Sequence, residues 1–145
     1  MVVASPSASF GLPEALRGIY AAAGGPSRLV RIVGLPVASE IALTGKPIPA
    51  QRALELRLIN RISKTPESVV DEAVELAKSI TELSPDAVIV TRAALREALE
   101  TGSVERATEL VGQRYSEKLN VGENAKEGLT AFAEKRKPEW VPSKL

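Results

Sequence analysis

From Pro66 onward the sequence repeats one pattern: apolar residues at intervals of three and four, each run closed by a helix breaker. Val69, Ala73, Leu76, Ile80 and Leu83 fall on one face of a 3.6-residue helix, and Ser84-Pro85 ends that run while starting the next. Val88, Thr91, Leu95 and Ala98 continue the pattern until Thr101-Gly102. Val104, Ala107, Val111 and Tyr115 form a third stripe, and Ala125, Leu129 and Phe132 a fourth. An apolar stripe is stable only when covered, so 66–145 is predicted to be a helical module. The runs share a length but no repeated sequence, which argues against a solenoid.

The first part reads differently. Val2 to Ala4 predicts a strand, Ser5 to Pro13 a loop, and Glu14 to Gly18 a helical turn closed by glycine. Pro26, Leu29, Val30 and Val33 predict a short helix ended by Gly34, with further helices over Pro36 to Leu43 and Ala50 to Glu55. "LRLINRIS", Leu56 to Ser63, alternates apolar and polar residues as a half-buried strand does. The expected class is therefore mainly α with short β remnants, divided near Thr65 into 1–65 and 66–145.

Composition narrows the chemistry. With 44% hydrophobic and 26% charged residues the chain is an ordinary globular sequence, and no apolar run approaches the roughly 20 residues of a membrane span. "MVVASPSASFG" has no basic region before an apolar core, so no secretory signal is read there. Nineteen basic against eighteen acidic residues, with one Trp, two Tyr and two Phe, leave little for nucleic acid to bind. Histidine and cysteine are both absent, which removes zinc fingers, thiol nucleophiles and Ser-His-Asp triads. A general acid or base here must be Asp, Glu, Lys or Tyr. Glu14, between a Gly/Pro turn and a glycine pair, is the candidate; by itself it is also a plain first-turn acid behind Pro13.

Five segments in order carry a more specific signal: "FGLPE" (10–14), "AAAGGPSRL" (21–29), "ALTGKPIPAQRALELRLINRI" (42–62), "SPDAVIVTRAAL" (84–95) and "EGLTAFAEKRKPEW" (127–140). Together they resemble the C-terminal half of the crotonase superfamily, the enoyl-CoA hydratases and isomerases. The resemblance implies that 1–65 closes a crotonase-like α/β spiral core and that 66–145 is a helical oligomerisation domain. It also implies acyl-CoA thioester substrates, no further cofactor and no metal, and an oxyanion hole of two backbone N–H groups. Glu14 matches the second of two glutamates that move protons in that family, projecting into an apolar acyl pocket.

The first glutamate and both oxyanion donors lie, in the family, upstream of where this chain begins. The chain alone is therefore expected to be inactive, and hydratase and isomerase chemistry both stay open. Ala21-Ala22 stands where many members have Pro-Gly, a departure in the backbone close to the reacting carbons.

Other candidate sites each stand beside a plainer reading. Gly24 and Gly25 could offer bare N–H groups to substrate, although a tight turn explains them more simply. Phe132 and Lys135 resemble an aromatic and a cation near the CoA moiety; a core Phe and a solvated basic cluster explain them nearly as well. Arg28 and Arg31 read as surface or intersubunit charges. A homotrimer or hexamer is implied, and the competing class is a non-catalytic helical self-association module of the same descent. Ser143, Lys144 and Leu145 spell the Ser-Lys-Leu address read by the peroxisomal import receptor, which implies a peroxisomal location.

Overall fold

The computed structural model describes all 145 residues, which form two compact units, Met1–Leu76 and Ala77–Leu145. The division falls within α3 (Val69–Thr81), later than the change of sequence character near Thr65.

In the first unit, β1 (Val3–Ala4) pairs in parallel with β4 (Arg61–Ile62), in the register Val3 to Arg61 and Ala4 to Ile62. β2 (Ser9–Phe10) pairs antiparallel with β3 (Ile48–Pro49), Ser9 opposite Pro49 and Phe10 opposite Ile48. The segment expected as a loop, Ser5 to Pro13, thus contains a strand. Its partner lies far along the chain, where no local pattern could announce it.

The strand expected over Leu56 to Ser63 shortens to Arg61–Ile62. Leu56 still has helical backbone angles at the end of α2 (Ala50–Glu55), Arg57 turns to φ 60°, and the Leu58 N–H closes on the Ala53 carbonyl at 2.9 Å. The apolar–polar alternation therefore belongs mostly to a turn, which drops Ile59 into the core. α2 itself has the expected bounds. α1 (Gly25–Thr44) breaks at Gly34, whose backbone (φ 75°, ψ 165°) leaves the helical region, so it comprises two helical stretches on either side of that glycine, as expected.

Two clusters fill this unit. Ala4, Ala50, Ala53 and Ile59 are buried between α2 and the strands, where alanines let the helix approach the backbone closely. Leu29, Ala38 and Ile41 are buried beneath α1, and Ile48 and Leu58 pack against both clusters. Ahead of α3, the Glu72 carboxylate accepts the Lys64 N–H at 2.8 Å and the Ser68 hydroxyl at 2.7 Å. These bonds favour the ionised form and hold its pKa below the usual carboxylate range.

The second unit comprises α4 (Pro85–Thr101), α5 (Val104–Val121) and α6 (Glu123–Glu134). Ser84 and Ser103 cap the first two, accepting the N–H groups of Ala87 and Arg106. α4 packs chiefly on α5, with Ala107 and Ala131 buried and Ala93 and Ala94 half-buried. The expected stripes are only partly inside. Val111 and Tyr115 are half-buried, but Leu95, Val104, Leu129 and Phe132 are 70%, 75%, 74% and 86% exposed. Small side chains allow the closer helix approach, so the alanine faces meet and the large apolar residues face outward.

After α6 the chain returns without regular structure. The Trp140 indole donates to the Glu82 carbonyl at 2.9 Å, and the Asn124 amide bonds Val141 on both its N–H and its carbonyl. Arg136 makes a two-pronged contact to Glu127 at 2.6 and 2.9 Å. That guanidinium, with the Glu139 N–H, brings the Glu127 carboxyl down to about 2.

Candidate active site

Pro13–Arg17 winds into one 3-10 turn, with Pro13 pre-set at its start. Gly18 closes it at φ 71°, where the Gly18 and Ile19 N–H groups donate to the carbonyls of Ala15 and Glu14, each at 3.3 Å. Glu14 is half-buried. Its Oε2 is shielded from solvent and has no hydrogen-bond partner in the protein. Leaving such an acceptor unsatisfied costs on the order of 1–3 kcal/mol, and more when it is charged. Its own fold supplies that oxygen with no donor.

Glycines at the two ends of α1, Gly25 within it and Gly45 capping it, hold the turn on either side of Glu14. At Gly25 a Cβ would stand 2.8 Å from Leu12 Cδ2, and at Gly45 it would stand 2.7 Å from Leu16 Cγ. Leu12 and Leu16 therefore sit against bare backbone at the start of α1 and just beyond its end. Gly45 also has φ 63°, the left-handed region. Gly45→Ala is expected to lower stability by about 1–3 kcal/mol, the left-handed cost plus the displacement of Leu16, as read by urea unfolding. An unchanged midpoint would show that neither constraint operates.

Gly24 caps α1 at φ 82°, and the Arg28 guanidinium folds back over it to donate to the Ala23 carbonyl at 2.9 Å. A Cβ on Gly24 would lie 2.6 Å from Arg28 Nη1, so the absent side chain makes room for that bond. Arg28 is thus an exposed residue that closes a turn. Beside it opens an apolar cavity of about 300 Å³, lined by Phe10, Leu12, Gly25, Arg28, Leu29 and Ile41 among others. The lining includes Leu12 but not Glu14. No group of three or more acidic side chains converges to hold a metal ion.

The remaining candidates lie in the second unit. Phe132 is 86% exposed, which removes the core reading of that residue. Lys135 takes φ 55° to end α6, its N–H donating to the Phe132 carbonyl at 3.3 Å. Ser143 and Leu145 are half-buried, and the Lys144 ammonium donates to Glu123 Oε1 at 2.5 Å.

Residues 1–143 match the sequence model of the enoyl-CoA hydratase/isomerase family. The chain belongs to that family. It is 46% identical over all 145 residues to the mevalonyl-coenzyme A hydratase of Aspergillus fumigatus and 43% identical to that of Beauveria bassiana. It is 37% identical, over 97% of its length, to the carnitinyl-CoA dehydratase of Proteus mirabilis. These alignments cover 53%, 52% and 54% of the relatives, so the hydratase/isomerase chain spans about half the length of the curated relatives it matches. The crystal structure of an enoyl-CoA hydratase from Mycobacterium tuberculosis superposes with a TM-score of 0.90 at 36% identity, over 99% of this chain and 56% of that one. One from Geobacillus kaustophilus gives 0.91 at 32% identity, over 99% and 55%. The fold is the C-terminal part of the crotonase fold. No helix in it is long and apolar enough to cross a membrane.

The Glu14 turn depends on residues that motif reading passed over. Leu12, Leu16 and Gly45 position the Glu14 turn through contacts between segments. Thr44-Gly45 is a helix-stop signal, but nothing in sequence announces that Leu16 packs on it.

Proposed function

We propose that this chain supplies the C-terminal half of an acyl-CoA hydratase, with Glu14 as one of its proton-handling carboxylates. The observation that carries the reading is the shielded, unpartnered Glu14 Oε2 on the Phe-Gly-x-Pro-Glu segment. In hydration a water oxygen bonds to C3 of a 2-enoyl thioester and a proton arrives at C2, so one group must orient water and give or take a proton. A carboxylate that is half-buried and free of competing protein donors suits that task.

The finer substrate reading follows identity. The two fungal relatives at 46% and 43% are mevalonyl-CoA hydratases, which favours a branched 3-hydroxy-3-methyl acyl group over a straight chain. Oxyanion donors and a second glutamate come from residues outside this chain. Leu16, Ile19 and Tyr20, around Glu14, are 64%, 64% and 77% exposed, as expected for an apolar rim that the other half covers. Without it the chain is inactive, because oxyanion donors are usually the largest electrostatic contribution to such a reaction.

The test is a chimera that joins the upstream half of the Aspergillus fumigatus relative to this chain. It should dehydrate mevalonyl-CoA, read by the ultraviolet absorbance of the conjugated thioester, and run as a trimer or hexamer in light scattering, while the 145-residue chain alone shows no turnover. A folded but inactive chimera would sink the hydratase reading, and turnover by the chain alone would sink the inactivity. The exposed Leu129 and Phe132 favour a second reading, a helical self-association module without chemistry. Concentration-dependent mass with no thermal shift by acyl-CoA would select it.

Ser143-Lys144-Leu145 supports peroxisomal import by a receptor that reads a free C-terminus. Adding residues beyond Leu145 should leave the protein cytosolic. Import of the extended chain removes this reading.

A further inference from the structure

The tail after α6 has no helix or strand, yet it is tied to its own domain at successive points. The Glu139 N–H donates to Glu127 Oε1 at 2.8 Å, and the Trp140 ring lies over Gly128, where a Cβ would stand 3.2 Å from it. Asn124, 2% exposed, then grips Val141: its Oδ1 accepts the Val141 N–H at 2.9 Å, and its Nδ2 donates to the Val141 carbonyl at 3.0 Å. The same Nδ2 donates to Asp86 Oδ2 at 2.9 Å, so the gripping amide is itself fixed. The residues beyond Val141 can reach no farther than about 3.5 Å each from this anchor.

Within that reach every residue of the terminal tripeptide is engaged. Ser143 Oγ accepts the Leu145 N–H at 3.2 Å. Lys144 Nζ donates to Glu123 Oε1 at 2.5 Å. Leu145 is half-buried and lines a cavity of about 400 Å³ together with Asp86, Gly122, Asn124 and Pro142. A receptor that reads a free C-terminal Ser-Lys-Leu must take up these same groups.

We propose that the domain masks its own C-terminal address: Asn124 moors the tail at Val141, Glu123 holds Lys144, and the import receptor binds only after the tripeptide is released from Glu123. The proposal rests on the reading of Ser143-Lys144-Leu145 as an import address. Recognition is then weakened by the fraction of chains whose tail is released. The masking is partial and reversible, because the Lys144 and Glu123 side chains are 78% and 62% exposed and an exposed ion pair holds weakly. It is also sensitive to salt. Asn124, by contrast, keeps its hold on Val141 when the last residues swing out, so the address is presented close to the domain surface.

Titration of the whole chain with the tripeptide-reading domain of a peroxisomal import receptor tests this, beside Glu123→Gln and a free hexapeptide of residues 140–145. Glu123→Gln should bind about two- to five-fold more tightly than wild type at low salt, a gap that closes as salt rises. The hexapeptide should bind at least as tightly as the variant, and Glu117→Gln, which removes the same charge from α5 instead of α6, should match wild type. Equal affinities for wild type, Glu123→Gln and the hexapeptide overturn the masking while leaving the address intact. A hexapeptide that does not bind overturns the address reading, and the proposal with it. Carboxypeptidase release of Leu145 gives a receptor-free check. It should be faster in Glu123→Gln by a similar factor, and an unchanged rate overturns the clamp.

Discussion

On the proposed role of Glu14, replacing it by glutamine in the chimera with the upstream half is expected to lower kcat by roughly 10²–10⁴-fold, the usual contribution of a positioned general acid or base. The substitution keeps shape and volume, so Leu12 and Leu16 remain seated on Gly25 and Gly45 and the turn is undisturbed. What is lost is the ability to exchange a proton. Folding should be unharmed or slightly favoured, because a solvent-shielded charged Oε2 without a partner is a cost to the wild-type fold. The pairing of the two results is diagnostic. Kinetics and urea unfolding of the same preparation would show activity collapsing at constant or raised stability. Equal loss of both would mean that Glu14 is a structural first-turn acid, and retained activity would remove it from the chemistry altogether.

A second large effect is expected at Asn124, a residue that none of the sequence motifs singles out. Asn124→Ala should destabilise the chain by about 2–4 kcal/mol in chemical denaturation, since it strips partners from the Val141 N–H, the Val141 carbonyl and Asp86 Oδ2 together. Asp86 is itself 6% exposed and its Oδ1 already lacks a protein partner, so losing Asn124 leaves a buried carboxylate with no donor. Asn124→Asp should not rescue. It is nearly isosteric, but it loses both donated bonds and sets a second carboxylate against Asp86. Wild-type stability in both variants would show that the amide clamp contributes nothing to folding.

These two residues differ in how far sequence reveals them. Glu14 stands out because histidine and cysteine are absent and because Gly11, Pro13 and Gly18 mark a constrained turn around it. Asn124 stands near the start of a helix, where asparagine is common, and nothing local says that its amide meets a backbone seventeen residues ahead. Gly25 and Gly45 are intermediate. Their breaker character is legible, but the leucines that use their missing side chains are not.

The sequence by itself determined the helix boundaries at Ser84-Pro85 and Thr101-Gly102, the bounds of α2, the turn under Glu14 and the family, because caps, breakers, periodicity and motif order act over a few residues. Only the tertiary structure decided which face of each helix is covered. Periodicity marks an apolar stripe but not its partner, and here alanine faces approach closely while Leu129 and Phe132 remain outside. It also decided that β2 exists and that most of Leu56–Ser63 is not strand, since a two-residue strand is defined by hydrogen bonds to a distant segment. The terminal Ser-Lys-Leu shows the same limit. Its letters can be read in sequence, but its attachment to Glu123 depends on α6 and the tail being brought together by folding.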